Sequence, residues 1–358
     1  MKYALLSVFD KSGIVEFARS LRELGYSIVS TGGTFKLLKE HGIELTEVSE
    51  ITQFPEILGG RVKTLHPHVH AGILFRREVP EDINALKTHQ INAIDIVVNN
   101  LYPFEEMLQQ SKDDATMIEN IDIGGPSMIR AAAKNYKDVT IVVDPQDYKD
   151  VIQRLQDGTL DEAYRRQLAA KAFSLTAYYD GMISSYFNAQ LGNKFPEHFA
   201  RPLKLKAGMR YGENPHQAAA LYRDGFQPAQ MRFDFDQLHG KEISYNNMND
   251  LTSAVMMLKE FERPCAVGVK HSNPTGIACD DDINIAFDKM IACDDVSIFG
   301  GIIAINRAVT PHIAERINTM FMEIVIAPDF EPEAFDILAQ KKNIRLVKSS
   351  NLMQAQFP

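Results

Sequence analysis

Two α/β units in series, the first built on a parallel sheet, are the architecture this sequence predicts. Strand-length apolar runs alternate with segments of helical periodicity from the N-terminus onward. A stretch around residue 195 then breaks both patterns with Gly, two Pro and clustered charge, and beyond it the alternation resumes. At 358 residues the chain has room for about two domains, each able to bury a sizeable core.

Each element follows from its local pattern. "YALLSVF" reads as a buried strand, and Ile14, Val15, Phe17, Ala18, Leu21 and Leu24 then recur at helical spacing until Gly25 stops the helix. "YSIVS" is a second strand, "TFKLLKEHG" a second helix ending at Gly42, and "IELTEV" a third strand, which completes a βαβαβ pattern. Further strands are expected at "IDIVVNNLY" and "DVTIVV", and a long Ala- and Leu-rich helix from Asp161 to Gln190. Residues 191–207, "LGNKFPEHFARPLKLKA", are read as a linker between domains at 1–190 and 208–358. In the second domain "PCAVGVKHS", "SIFGGIIAIN" and "MEIVIAPD" read as strands, and "LTSAVMMLKEF" and "INIAFDKMIA" as helices. There is no internal repeat and no low-complexity tract.

Composition narrows the function. A formal charge of −9 argues against a broad nucleic-acid-binding surface, so an anionic ligand must be held by local Lys and Arg, and small molecules are the expected partners. Cys265, Cys279 and Cys293 are odd in number and form no C-x-x-C, which fits reduced thiols in a cytoplasmic protein. The N-terminal apolar run is too short for a signal sequence and no run approaches the ~18 residues of a membrane span, so a soluble protein with no membrane partner is expected.

Three stretches carry chemistry. "STGGT", Ser30 to Thr34, lies between a strand and a helix, where glycines let backbone N–H groups point into one concavity suited to phosphate; a plain N-capped turn has the same sequence. Lys11, after the first strand, would emerge at the same sheet edge. "NIDIGGPSMIRAAAKN" begins a helix behind Asp122, which is a possible acid or base though a lone Asp there is more often a cap. It spaces Arg130 and Lys134 four apart, which by spacing alone reads as a solvated basic face. "RVKTLHPHVHAGIL" places His66, His68 and His70 at alternate positions; a strand would put them on one face as a start for metal, while Pro67 argues against a regular strand.

Taken together and in order, "LLSVFDKSGIVEFA", "STGGT", "GGRVKTLHPHVHAGIL", "NLYPF" and "ENIDIGGPSMIRAAAKN" resemble the IMP cyclohydrolase half of the bifunctional purine-biosynthesis family. "RYGENPHQ", "SYNN", "VKHSNPTG" and "SIFGGIIAIN" resemble its other half, the aminoimidazole carboxamide ribonucleotide (AICAR) transformylase. The resemblance implies a methylglyoxal-synthase-like parallel-sheet three-layer domain followed by a partial cytidine-deaminase-like α/β transformylase domain. In the family the pattern is His-Pro-x-aliphatic-His, so His68 is not required and no metal site is implied.

For the cyclohydrolase the resemblance implies that Lys63 and Thr64 face the developing oxyanion and that Asp122 and Lys134 move protons. Tyr102 and Asn100 would orient the substrate, Arg61 would bind the nucleotide, and Lys11 with Ser30, Thr31, Gly32, Gly33 and Thr34 would hold the 5′-phosphate. For the transformylase it implies His271 as proton acceptor beside Lys270, nucleotide contacts from Arg210, Tyr211 and His216, and pocket walls at Asn246, Asn247, Phe299 and Gly300. The implied partners are AICAR, formyl-AICAR, IMP and, as cosubstrate with no tightly bound cofactor, 10-formyltetrahydrofolate. A homodimer is implied too. The family's Lys-Ser-Asn, Phe-Pro-Phe and Gly-Gly-Ser-x-Arg-Asp segments do not occur here, so a complete cyclohydrolase and a shortened transformylase with impaired formyl transfer are expected. Two other readings stand beside this one: a methylglyoxal-synthase-like lyase, and a nucleotide-sensing or assembly module without turnover.

Overall fold

A computed structural model describes residues 2–110 and 113–357, and the chain divides into two compact units, Met1–Pro202 and Leu203–Pro358. Unit 1 runs β1 (Lys2–Ser7), α1 (Ile14–Glu23), β2 (Tyr26–Ser30), α2 (Gly32–Glu40), β3 (Leu45–Glu47), α3 (Val48–Thr52), α4 (Pro67–Leu74), α5 (Pro80–Thr88) and β4 (Ile94–Asn99). It continues through α6 (Phe104–Gln109), α7 (Asp114–Glu119), α8 (Gly124–Lys134), β5 (Thr140–Val142), α9 (Tyr148–Asp157) and α10 (Glu162–Gln190). The five strands lie in the order β3-β2-β1-β4-β5, and every neighbouring pair is parallel. Strand order therefore reverses between β1 and β4, and in open parallel sheets the crevice at that switch, beyond the strands' carboxyl ends, is where ligands bind.

Burial explains why these segments take these forms. Strand residues Ala4, Leu5 and Leu6, together with Val97 and Val98, are almost completely buried, as a sheet covered on both faces requires. Helix α1 buries Ile14, Val15, Phe17, Ala18 and Leu21, and Gly25 ends it at φ 82°, where a glycine carries no Cβ penalty.

The histidine-rich stretch is a helix and not a strand. Pro67 occupies the first turn of α4, where its missing N–H costs nothing, and the His66 ring caps the helix by accepting the His68 N–H at 3.2 Å. The alternation reading thus fails: the His66 and His68 rings meet edge to face at 5.0 Å, and each of the three rings has a hydrogen-bond partner of its own. His68 Nδ1 faces the Ile51 carbonyl at 2.9 Å, and His70 Nδ1 faces the His66 carbonyl at 3.4 Å. Among the described residues no group of three or more His, Cys, Asp or Glu forms a metal-holding cluster, and no helix is long and apolar enough to cross a membrane.

Unit 2 comprises β6 (Leu203–Met209), β7 (Ala219–Asp224), β8 (Asp236–His239), α11 (Tyr245–Leu258), β9 (Cys265–Lys270), β10 (Asn273–Cys279) and α12 (Ile283–Cys293). It ends with β11 (Ile302–Ile305), α13 (Pro311–Asn318), β12 (Ile324–Ala327), α14 (Pro332–Ala339) and β13 (Arg345–Lys348). Six strands form a mixed sheet, β10-β9-β11-β12-β13-β8, while β6 and β7 make a separate antiparallel ribbon. Alternate residues of β11 feed two cores, Ile303 and Ile305 one and Ile302 and Ala304 the other, so this sheet too is covered on both faces. Strand β6 begins within the stretch read as a linker. Strand β11 begins only after Phe299, Gly300 and Gly301, which turn the chain ahead of it.

Candidate active sites

The first site is a cavity of about 510 Å³ at the switch point of the unit 1 sheet. It gathers Lys11, Thr31, Gly32, Gly33, Thr34, Arg61, Lys63, Thr64, Asn100, Tyr102 and Asp122 from five separate loops. Helix α2 starts at Gly32, whose φ of 55° demands glycine, and the opening N–H groups of a helix have no partner within it. Two ammonium groups stand over this start. A Cβ on Gly32 would lie 3.3 Å from Lys63 Nζ, and one on Gly33 would lie 3.6 Å from Lys11 Nζ. Free N–H groups, a helix dipole and two lysines make an anion cradle.

Not every hydroxyl of "STGGT" belongs to it. Ser30 is fully buried and donates to the Leu6 carbonyl at 2.7 Å, and it does not line the cavity. Thr34 accepts the Val8 N–H at 3.1 Å and faces the Val8 carbonyl at 3.0 Å. Both hydroxyls tie β2 and α2 to the end of β1, so the structure places Ser30 outside the cavity, while Thr34 lines it with its hydroxyl engaged and its backbone N–H at the helix start. Asn100 is engaged likewise. Its Oδ1 accepts the Phe9 and Asp10 N–H groups at 2.6 and 2.9 Å and its Nδ2 donates to Asp10 O at 3.0 Å, which fixes the loop that carries Lys11.

Asp122 combines the two roles open to it from sequence. One oxygen accepts the Gly125 N–H at 2.8 Å and caps the start of α8. The other lies so close that a Cβ on Gly125 would come within 2.3 Å of it, which explains a glycine there. Burial raises the Asp122 pKa above the ordinary aspartate value, opposed by the Gly125 N–H and the Lys63 charge. Its backbone N–H donates at 2.8 Å to the Tyr179 hydroxyl of α10, and burial pushes that phenol up to about 12. Tyr102 is raised by burial first and by the Asp122 and Glu56 charges second, which keeps its phenol protonated. Thr64 is buried with its hydroxyl 2.9 Å from where a Gly124 Cβ would be.

Arg61 is paired with Glu119, and both line the cavity with exposed side chains. Lys134 is not brought there. It ends α8, ten residues beyond Gly124 and so ~15 Å along the axis, and lines a different, mostly apolar groove with Arg130, Arg166 and Phe173. The proton role expected of Lys134 beside Asp122 is therefore not supported by the place the structure gives it. Glu119, Tyr179 and Asn99 went unnoticed in the sequence. Asn99 is buried with an unpartnered Oδ1 at the cavity wall, and a polar residue ending an apolar strand was the signal for it.

The second site, about 580 Å³ and within unit 2, is lined by Arg210, Tyr211, Asn246, Asn247, His271 and Gly300 among the expected residues. It adds Glu213, Ser244, Asn249, Asp250, Ser272, Glu323 and Arg345. Arg345 is buried, pairs with Glu323 at 2.5 Å and donates twice to the Glu242 carbonyl. The Asn247 side chain closes a capping box with Ser244 at the start of α11, so its acceptor is already engaged. His216, Lys270 and Phe299 do not line the cavity. Lys270 Nζ instead donates to the Phe299 carbonyl at 2.7 Å, and the Phe299 ring packs on Phe321 at 5.5 Å.

A parallel-sheet unit with a lysine-topped anion cradle, joined to a second α/β unit with its own polar pocket, is the layout of a two-site enzyme of nucleotide chemistry. Family comparison narrows this. The MGS-like domain matches residues 13–127, and the AICARFT/IMPCHase bienzyme matches residues 132–357. The bifunctional purine biosynthesis protein PurH of Thermoanaerobacter sp. strain X514 is 54% identical over 351 residues, covering 97% of this chain and 68% of that protein. PurH of Caldicellulosiruptor bescii is 50% identical over 358 residues, covering 98% of this chain and 69% of that protein. A solved structure titled crystal structure of ForH is 36% identical with a TM-score of 0.47, covering 53% of this chain and 98% of that one. The chain belongs to the AICARFT/IMPCHase bienzyme family, whose two activities, IMP cyclohydrolase and AICAR transformylase, serve purine biosynthesis.

Proposed function

We propose that unit 1 closes formyl-AICAR to IMP and that unit 2 holds the formyl-transfer chemistry, each with its own residues. The observation that carries the first assignment is Lys63, which lies at the anion cradle and close enough to Asp122 for its charge to act on that carboxyl. With the 5′-phosphate on the Gly32–Gly33 turn and Lys11, the carboxamide nitrogen and the formyl carbon of one bound molecule meet without a second encounter. The new N–C bond leaves negative charge on the former formyl oxygen. Lys63 and the Thr64 hydroxyl stabilise it.

Asp122, a carboxylate at the cavity wall whose pKa is raised by burial, takes the proton from the attacking amide nitrogen. Asp122 passes that proton to the oxyanion to give the hydroxyl, and the protonated phenol of Tyr102 delivers the second proton so that the hydroxyl leaves as water. The proton released from the former formamide nitrogen as the C=N bond forms returns to the phenolate. Arg61, held by Glu119 at the rim, binds nucleotide. In unit 2, His271 accepts a proton from the AICAR amine as it attacks the formyl group of 10-formyltetrahydrofolate and gives it to the folate N10 as the C–N10 bond breaks and tetrahydrofolate leaves, with Arg210, Tyr211 and Asn246 around the nucleotide. The same reading gives the protein small-molecule partners only, no tightly bound cofactor, a cytoplasmic location and a homodimeric assembly. Following IMP absorbance after adding formyl-AICAR tests it: turnover that disappears in Lys63→Ala supports the assignment, and no turnover in the unaltered chain refutes it.

A further inference from the structure

The turn between β9 and β10 is two residues long, because Lys270 pairs with Asn273 across the antiparallel ladder and leaves only His271 and Ser272 outside it. Two-residue hairpins with positive φ at both central positions favour Asn-Gly or Gly-Gly. Here φ is 51° at His271 and 62° at Ser272, so two side chains stand where glycine is preferred. Histidine tolerates the left-handed region better than most residues, whereas serine gains no such relief. Such a turn persists only where its surroundings over-determine it, and strain of this kind collects where a side chain must be presented.

Asp250, on α11, supplies the constraint. Its Oδ2 accepts the His271 N–H at 3.1 Å, and its Oδ1 accepts both the Ser272 N–H at 2.8 Å and the Ser272 hydroxyl at 3.2 Å. The neighbours complete the clamp: Asn249 Nδ2 donates to Ser272 Oγ at 2.9 Å, and Asn273 Nδ2 donates to the His271 carbonyl at 2.9 Å. The next residue of α11, Leu251, is fully buried, which anchors the carboxylate to the core.

We propose that Asp250 is a positioning residue for formyl transfer, holding the His271–Ser272 turn in its left-handed form so that the imidazole meets the pocket from one fixed direction. The inference rests on His271 as the proton acceptor. A carboxylate that touched the nucleotide directly would also lie in this pocket, and the two roles respond differently to substitution.

In the full chain, Asp250→Ala should lower kcat for folate-dependent formylation by about 30-fold or more while the KM for AICAR stays within about 3-fold. IMP formation from formyl-AICAR should not change. Adding Ser272→Gly should restore much of the lost kcat, since glycine takes the left-handed form unaided. A carboxylate acting on substrate would not be replaced by a glycine at position 272, so a KM-dominated loss without rescue overturns the proposal. Hydrogen exchange at the 271 and 272 amides reads the clamp without turnover and should quicken by about 10-fold or more in Asp250→Ala. If the unaltered chain does not formylate AICAR, the reading of unit 2 as active by itself fails, and the exchange measurement alone decides the clamp. Unchanged exchange overturns the positioning role whether or not formylation occurs.

Discussion

The unit 1 site is made by sheet topology and the unit 2 site by a strained turn. In unit 1, five parallel strands deliver loops to one switch point, and the groups that matter there are buried enough for Asp122 and Tyr102 to be shifted by desolvation. In unit 2, His271 sits on an exposed hairpin tip whose backbone N–H groups are bound by the Asp250 carboxylate of a neighbouring helix. On the proposed assignment, the reaction within one molecule is enclosed among shifted groups, and the transfer between two molecules uses an open polar surface that presents a single imidazole.

The strongest way to break the comparison is at Asp122. Asp122→Asn should cut ring closure by about 100-fold or more, as removal of a general base does. Its stability effect has the opposite sign. A carboxyl whose folded pKa is raised contributes fully below the unfolded value of 3.8 and loses that contribution as pH rises through the folded value, so at pH 7 the charged form is a burden. Asp122→Asn should therefore raise the melting temperature at pH 7 while activity falls. A lower melting temperature would show that the cap to Gly125 outweighs the burial cost.

Arg61→Ala comes next. Its pair with Glu119 is exposed and contributes little to stability, so the loss should appear as a KM raised by about 10-fold with a smaller change in kcat. A drop in kcat at unchanged KM would move Arg61 into the chemistry.

These residues also mark what was legible in the sequence. Both units, the parallel sheet and the GG turn followed from periodicity, because apolar spacing is imposed by burial on each element separately. Which hydroxyl faces ligand was not legible. Ser30 and Thr34 look like phosphate donors in "STGGT", yet their neighbours in space, Leu6 and Val8, lie far away in sequence. Lys134 misled for a related reason: helix α8 carries it away from Asp122 although a short motif spans both. The left-handed turn at His271 was invisible, since its cause is Asp250 on another element.

Ser30→Ala turns the first of these corrections into a test. Losing one buried bond to Leu6 should cost about 1 kcal/mol of stability and leave the KM for formyl-AICAR within about 2-fold. A large KM increase would restore Ser30 to the phosphate site.

The smallest expected effect concerns His66. Burial, and then the nearby His68, lower its pKa below the ordinary imidazole value of 6.5, and the neutral ring is the form that caps α4. Stability from this group is therefore complete above the unfolded pKa and is lost as pH falls through the folded one. Thermal melts between pH 7 and pH 5 should show a shallow decline that His66→Asn removes, because Asn caps helices without titrating. An identical decline in that variant would assign the acid sensitivity elsewhere.

The central claim is that each unit carries its own chemistry, and one pair of variants assayed twice tests it most directly. Lys63→Ala and His271→Ala are each measured for IMP formation from formyl-AICAR and for folate-dependent formylation of AICAR. The account predicts a crossed pattern, with Lys63→Ala losing ring closure by about 100-fold while keeping whatever formylation the unaltered chain shows, and His271→Ala losing that formylation while keeping ring closure. Loss of both activities from either single substitution would contradict it.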